Sequence, residues 1–242
     1  MTTLRDSLAQ CLSLLRVKTM LVLIVMQVFA FFVLGVSTTF LPTYMQQRDT
    51  FGFSSRNAGL YAGVIIVLAG LIGVIVGGYM SDWLNRRHAG ARVLVCGIGF
   101  LLAAPSYALA VTYHNLVVFT LFFVLTALLL YVYNGPSTAA TQDVVPARLR
   151  ASAVAISLLI AHLLGDAFAP TLVGILATGF DPTGGGHFQH ALAGQDLSRA
   201  LLITCTPALV IAGLVGIFGA RWMRSDVAAA EQSDRELSVS HV

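Results

Sequence analysis

Long apolar runs dominate the pattern of hydrophobic and polar positions along the chain. Each run holds about 20 residues, enough for a helix that crosses the hydrocarbon core of a bilayer. Six runs occur, approximately at residues 20–40, 59–80, 93–111, 116–133, 152–178 and 200–219. Barrel strands would alternate apolar and polar residues over about ten positions, whereas these runs are continuous. Because helices are the only other way to satisfy the backbone in lipid, the pattern predicts an all-α membrane protein with six transmembrane helices, here spans 1 to 6.

The composition agrees with lipid as the surrounding solvent. Of the 242 residues, 57% are hydrophobic and 10% are charged, whereas soluble domains carry about 25% charged residues. This excludes a water-soluble enzyme domain, and a net charge of +3 is too small for a nucleic-acid-binding surface. The cysteines Cys11, Cys96 and Cys205 are too far apart to indicate a disulfide framework or a metal site. We therefore expect no cofactor.

The distribution of arginine and lysine predicts the orientation of the chain. Eleven of the 14 basic residues lie in the two terminal segments and in the loops after spans 2 and 4. The other three, Arg48, Arg56 and Arg199, lie on the opposite side. By the positive-inside rule, both termini are predicted to be cytoplasmic in a multi-pass protein of the cell (inner or plasma) membrane.

The segments that flank the spans have different characters. Residues 1–18 combine leucines at helical spacing with Arg5 and Arg16, which predicts a cytoplasmic amphipathic or linker segment. The bundle itself is expected over residues 19–223. Residues 224–242 are polar and are predicted to form a flexible cytoplasmic tail.

The loop after span 2 carries a distinctive set of residues: Gly78, Asp82, Arg86 and Arg87. A carboxylate where a helix leaves the membrane, followed by two arginines, fits an ionic latch that is made in one conformation and broken in another. We expect Asp82 to lie within reach of Arg86, of Arg87 or of a helix N-terminus. The alternative is a simple positive-inside anchor with an incidental aspartate.

This loop resembles the G-x-x-x-D-[RK]-x-G-[RK]-[RK] motif of the major facilitator superfamily. Its glycine, aspartate and two arginines all match, while Trp83 stands where the family has a basic residue and Asn85 where it has glycine. A weakened copy of the motif, as found here, resembles the copy in the second of the family's two six-helix halves.

Two further segments resemble the Spinster-like branch of that superfamily. One resembles the cytoplasmic loop between helices ten and eleven of the twelve-helix family members. The matching residues of this chain are Gln142, Asp143, Arg148 and Arg150. The other is a helix with glycines and a proline, matched over residues 165–174, in which Pro170 predicts a kink.

The resemblance implies a fold and a partner. The family's full unit has two six-helix bundles that face each other across a central cavity, and this chain supplies one bundle, the C-terminal half. The substrate path would then lie between this bundle and a second six-helix half, either a separate chain or a second copy. Spans 3 and 6 are expected at the lipid-facing periphery, with spans 1, 2, 4 and 5 on the inner face.

His162 and Asp166 form the most unusual pair in the sequence. They lie four residues apart on one face of span 5, near mid-membrane, where a carboxylate costs about 2.5–3.5 kcal/mol on insertion scales. Histidine changes its charge near neutral pH, so the pair is a candidate site for a substrate or a proton. The alternative is a structural hydrogen bond inside the bundle.

Three other polar residues are candidates for the cavity lining: Gln27 in span 1, and Tyr131 and Asn134 near the end of span 4. Each of them also fits a packing or interfacial role. Similarly, the glycines at 63, 70, 73 and 77 of span 2 fit either tight packing within this bundle or an interface with the other half.

The loop between spans 5 and 6 contains His187 and His190 in an H-x-x-H pattern. Zinc sites use three or four protein ligands, so a flexible loop without metal is the preferred interpretation.

Three hypotheses for function differ in class. The leading one is a half-length secondary transporter that moves a small organic or amphipathic, lipid-like solute across the lipid membrane by alternating access. The alternative is a truncated or accessory membrane protein without transport activity of its own. An intramembrane enzyme is not expected, since the only similar segment, from Gly35 to Thr38, lacks the closing glycine of a G-x-S-G nucleophile motif.

Overall fold

The computed structural model describes residues 14–88, 90–180 and 192–239, and within them the chain is helical and contains no strand. The helices are α1 (Lys18–Gln46), α2 (Ser55–Asn85), α3 (Ala91–Thr112), α4 (Leu116–Val132), α5 (Asn134–Asp143), α6 (Arg150–Ala161), α7 (Ala169–Gly179), α8 (Ala193–Gly219) and α9 (Met223–Val239).

Six helical segments of the described chain are long and apolar enough to cross a membrane, which confirms the six predicted spans. Spans 1, 2 and 3 are α1, α2 and α3, while span 4 joins α4 to α5. Span 5 contains α6 and α7, and span 6 contains α8. We call the end of the bundle where span 1 starts the terminal end.

Spans 1 and 3 form the interior of the bundle. In each, 61% of the most apolar stretch is buried, against 22% in spans 2 and 5. Span 1 contacts spans 2, 5 and 6, and span 3 packs along spans 4 and 6. The exposed side of span 3 is a narrow stripe formed by Ile98, Leu102 and Leu109, and the lipid-facing position expected for spans 3 and 6 stays a prediction.

Two glycines of span 2 allow it to lie directly against span 4. A Cβ atom at Gly77 would overlap the carbonyl oxygen of Val132, and one at Gly73 would come within 2.6 Å of the carbonyl oxygen of Leu128. Gly63 instead has open space around it. The glycines of span 2 therefore have two roles. Gly73 and Gly77, near the terminal end, pack within the bundle, whereas Gly63 lies on an exposed face.

The polar segment after span 6 is helical. A 3₁₀ turn, Ala220–Trp222, redirects the chain into α9, where Met223 and Ala230 are buried against the bundle. Helix α9 thus covers residues 224–239 of the predicted tail, while the flexibility and the cytoplasmic side of this segment stay predictions. The predicted amphipathic segment at 1–18 falls outside the described residues up to residue 13.

Candidate functional site

A π-helical turn interrupts span 5 at the candidate pair. The turn covers His162–Asp166, and the N–H of Ala167 donates to the carbonyl oxygen of His162 at 3.0 Å, five residues back. Such turns are rare, occur mostly as single insertions in α-helices, and are frequent at functional sites. Pro170 lies in the first turn of α7, directly after this interruption, where its missing N–H leaves no helical bond unmade.

The turn places His162 and Asp166 side by side on one exposed face. His162 Nδ1 lies 3.4 Å from Asp166 Oδ2, and the two side chains are 58% and 44% exposed. This separation is longer than an ordinary hydrogen bond, so each group keeps capacity for another partner. The edge of Phe31 in span 1 packs on the imidazole, with ring centroids 4.4 Å apart.

Two glycines position this pair against span 1. A Cβ atom at Gly35 would overlap Asp166 Oδ1, so the carboxylate occupies the space that the missing side chain leaves. A Cβ atom at Gly165 would overlap the carbonyl oxygen of Val28, so Gly165 lets span 5 approach the backbone of span 1. Sequence reasoning missed Gly35, because nothing in its local pattern relates it to a residue 131 positions later.

The surroundings of Asp166 are apolar. Leu163, Leu164 and Phe168 are exposed on the neighbouring positions of span 5. Among the described residues, His162 is the only basic group within 4.0 Å of the carboxylate. A carboxylate in such surroundings attracts a cationic or proton-donating partner.

The remaining cavity candidates lie elsewhere. Gln27 is buried in the bundle at 6% exposure, and its Oε1 has no hydrogen-bond partner among the described residues. The Tyr131 ring packs over Gly70 of span 2, and Asn134 donates to the carbonyl oxygen of Tyr131 at 3.4 Å. The structure thus does not bring Gln27 to the face that carries His162.

Asn134 lines an open groove of about 480 Å³ between spans 2 and 4. The other lining residues are Val74, Gly135, Thr138, Ala139 and Gln142. Gln142 belongs to the predicted loop motif, so the groove joins a cavity candidate to that loop at the terminal end.

Arg92 connects the two loop motifs at the terminal end. Its Nη2 atom lies 2.9 Å from Asp82 Oδ1, and its Nη1 atom forms an ion pair with Asp143 Oδ2. The partner of Asp82 is therefore Arg92, in the first turn of span 3, rather than Arg86 or Arg87. The planar guanidinium suits this role because its two outer nitrogens point to different acceptors.

The other motif residues have separate positions. Arg87 lies over the ring of Trp83, with its Cζ atom 4.7 Å from the ring centroid, so the residue that departs from the family pattern serves as a platform for the arginine. The Nε atom of Arg150 donates to the carbonyl oxygen of Gln142 at 3.0 Å. Arg86 and Arg148 are exposed.

The described residues contain no group of three or more His, Cys, Asp or Glu side chains that could hold a metal ion. The loop with His187 and His190 lies outside the described residues.

Comparison with known protein families assigns the chain to a superfamily. The family model described as Major Facilitator Superfamily matches residues 3–170. The chain belongs to the Major Facilitator Superfamily. Its relatives include spinster proteins: it is 35% identical over 129 residues to protein spinster of Drosophila melanogaster, covering 48% of this chain and 19% of that protein. It is 26% identical over 212 residues to protein spinster homolog 1 of Xenopus laevis, covering 83% of this chain and 40% of that protein.

Another relative is a sphingosine-1-phosphate transporter of Xenopus tropicalis, 33% identical over 126 residues, covering 51% of this chain and 24% of that protein. Among solved structures, a bacterial homolog of the human lysosomal transporter Spinster, inward-facing and unoccupied, matches with a TM-score of 0.66 at 21% identity. The match covers 92% of this chain and 50% of the other. The fold is that of the superfamily in a multi-pass integral membrane protein, and the chain spans half or less of the length of these relatives.

Proposed function

We propose that this chain is the C-terminal six-helix half of a secondary transporter that moves an amphipathic, lipid-like solute by alternating access. The observation that carries the proposal is a six-span bundle of superfamily fold in which a polar pair, His162 and Asp166, is exposed at an apolar face. Transport proteins of this superfamily hold the solute between two such bundles.

The exposed faces of spans 2 and 5 support a second bundle as partner. Val67, Leu159 and Ile175 are each about two-thirds exposed, at 66%, 66% and 65%. Gly63 in the same face of span 2 leaves room for a close helix contact. The partner is a second six-helix unit, and the two bundles rock against each other with both termini on the cytoplasmic side of the cell membrane.

Within this bundle, the pair of His162 and Asp166 contacts the solute or a proton. Since no other described basic group lies within 4.0 Å of Asp166, the carboxylate favours a solute with a cationic group, while the flanking leucines accept its apolar part. The His162 imidazole beside this carboxylate adds a group that can donate or accept a proton.

The ion pairs at the terminal end form the gate. Arg92 joins Asp82 of span 2 to Asp143 of span 4, and the Asp82 side chain is 63% exposed. An exposed ion pair contributes about 0–1 kcal/mol, which is small enough to break and re-form during a transport cycle.

The alternative function is an accessory membrane protein without transport of its own. The exposed apolar faces of spans 2 and 5 would then cover another membrane protein permanently rather than move against it. Transport that depends on a pH gradient in vesicles separates the two hypotheses, because an accessory protein alone gives none.

The test uses Asp166→Asn in vesicles that contain the complex extracted from its native membrane. With a fluorescent long-chain alkylamine as the probe, the variant should lose proton-driven accumulation but retain part of the exchange, because the carboxylate is gone and the bundle is intact. Glu236→Gln, an exposed change on α9, is the control and should behave as wild type.

Three outcomes contradict parts of the proposal. Unchanged accumulation in Asp166→Asn removes the carboxylate from the site. A lower melting temperature with an unchanged pH profile assigns it a structural role. Equal uptake of the alkylamine and of the alkyl sulfate of the same length removes the preference for a cationic solute.

A further inference from the structure

The N-termini of spans 1 and 5 lack caps of their own. The residue before span 1 is Val17, and the residue before the 3₁₀ turn that starts span 5 is Pro146; neither side chain makes a capping hydrogen bond. Spans 2 and 4 differ, because Ser54 and Asn115 cap them locally. A helix N-terminus without an acceptor leaves backbone N–H groups unsatisfied.

Helix α9 supplies both missing acceptors. Asp226 Oδ2 accepts the N–H of Thr19 at 2.8 Å, at the start of span 1. Asp234 accepts the N–H of Ala147 with both carboxylate oxygens, at 3.1 and 3.2 Å, at the start of span 5. The Asp226 carboxylate also meets the positive end of the span 1 helix dipole.

The spacing along α9 fits this double contact. Asp226 and Asp234 are eight residues apart, about 12 Å along the helix axis, with the buried Ala230 midway between them. Met223, at the start of α9, is 1% exposed. The apolar contacts and both carboxylates thus lie on the face of α9 that meets the bundle, and Lys18 Nζ, 5.9 Å from the Trp222 ring, adds a cation–π contact at the turn into α9.

Two features of span 5 make the contact between Asp234 and Ala147 important for holding it in place. It is among the least buried spans, at 22%, and the π turn at 162–166 is a break in its regular hydrogen bonding. The part before the break, α6, is joined to the rest of the bundle through contacts with α1 and α5 and through Asp234.

We propose that α9 is a strap that holds the terminal part of span 5 against span 1, and that release of Asp234 lets α6 swing at the π turn and opens the terminal end of the bundle. The strap acts within one bundle, through the residues of this chain alone. It is therefore independent of the solute and of the second six-helix unit.

Hydrogen exchange of the full chain in lipid nanodiscs tests the strap. Asp234→Ala should raise the exchange rates of amides from Ala147 through α6 by about fivefold or more, the factor that corresponds to loss of a typical cap. Exchange in α7, beyond the π turn, should stay within twofold of wild type. Glu236→Gln, which removes a carboxylate from the same helix without a contact to span 5, should match wild type.

Asp234→Asn keeps an acceptor oxygen and provides the variant of choice if Asp234→Ala folds poorly. It should raise exchange in the same peptides by a smaller factor. Faster exchange confined to residues 147–149 would mean a local cap and would overturn the strap. Equal exchange in Asp234→Asn and Glu236→Gln, or equal acceleration of α6 and α7, would overturn it as well.

Discussion

At the scale of single residues, Arg92 organises the terminal end of the bundle. Its side chain is 18% exposed and lies between the carboxylates of Asp82 and Asp143, which come from spans 2 and 4. Without Arg92, neither carboxylate would have an arginine within 4.0 Å among the described residues. The arginine therefore joins the ends of spans 2 and 4 through one side chain.

We predict that Arg92→Gln lowers the free energy of unfolding by about 1–2 kcal/mol, since both charge-assisted contacts are lost at once. Arg92→Lys should restore part of the loss, because a lysine keeps the charge but lacks the fork that reaches two acceptors. Denaturant melts in detergent, with exposed Arg86→Gln as the control, measure the difference. Equal stability of Arg92→Gln and Arg86→Gln would contradict this role.

Sequence reasoning found Asp82 and Asp143 but not the residue that joins them. The local pattern offered Arg86 and Arg87, four and five residues from Asp82, or a helix N-terminus as partners; Arg92 lies in the first turn of span 3. Arg92 pairs with Asp143 across 51 residues, and this contact exists only because spans 2, 3 and 4 meet at one end. Linear spacing carries no information about such a meeting point.

At the scale of helices, the close contact of spans 2 and 4 depends on two glycines. Gly73 and Gly77 admit backbone carbonyl oxygens of span 4 where any side chain would collide. Gly63 lies on the same helix, and no described neighbour comes within 4 Å of the position that a Cβ atom would take there. The two sets of glycines therefore offer a matched comparison.

Gly77→Ala should destabilise the bundle by about 1–3 kcal/mol, the usual range for overpacking, because Val132 contributes rigid backbone to the contact. Gly63→Ala should leave the isolated chain within about 0.5 kcal/mol of wild type. Thermal unfolding of both variants in one detergent checks the prediction. If Gly63→Ala destabilised the chain as much as Gly77→Ala, the contact of spans 2 and 4 would not depend on Gly77 in the way proposed.

The helix boundaries show which elements the sequence could predict. All six spans follow from continuous apolar runs, since the backbone in lipid has few alternatives to a helix. Sequence reasoning missed helix α9 because a polar composition is also typical of disordered segments. Its signal was local: three alanines, Ala228 to Ala230, and the i,i+4 pairs Glu231–Arg235 at 3.7 Å and Gln232–Glu236 at 3.1 Å.

The π turn at 162–166 had no comparable signal. The i,i+4 spacing of His162 and Asp166 correctly predicted a shared face, which the 3.4 Å separation confirms. The turn lies where Gly165 and Gly35 allow spans 5 and 1 to approach each other closely. A pattern along one helix does not contain those contacts.

At the scale of the whole molecule, the proposed transport mechanism requires this bundle to work against a second one. Spans 2 and 5 keep only 22% of their apolar stretches buried within the chain, and apolar helices in lipid associate through close packing rather than through exclusion of water. The faces of these spans are therefore suited to a helix bundle of matching shape.

The most direct test is the mass of the complex extracted from its native membrane in mild detergent and measured by native mass spectrometry. We predict a particle that combines this six-span bundle, 25.7 kDa over the 242 residues, with a second six-helix unit of similar size, and transport by that particle in vesicles. A particle with the mass of this bundle alone that still carries out proton-driven transport would contradict the two-bundle mechanism.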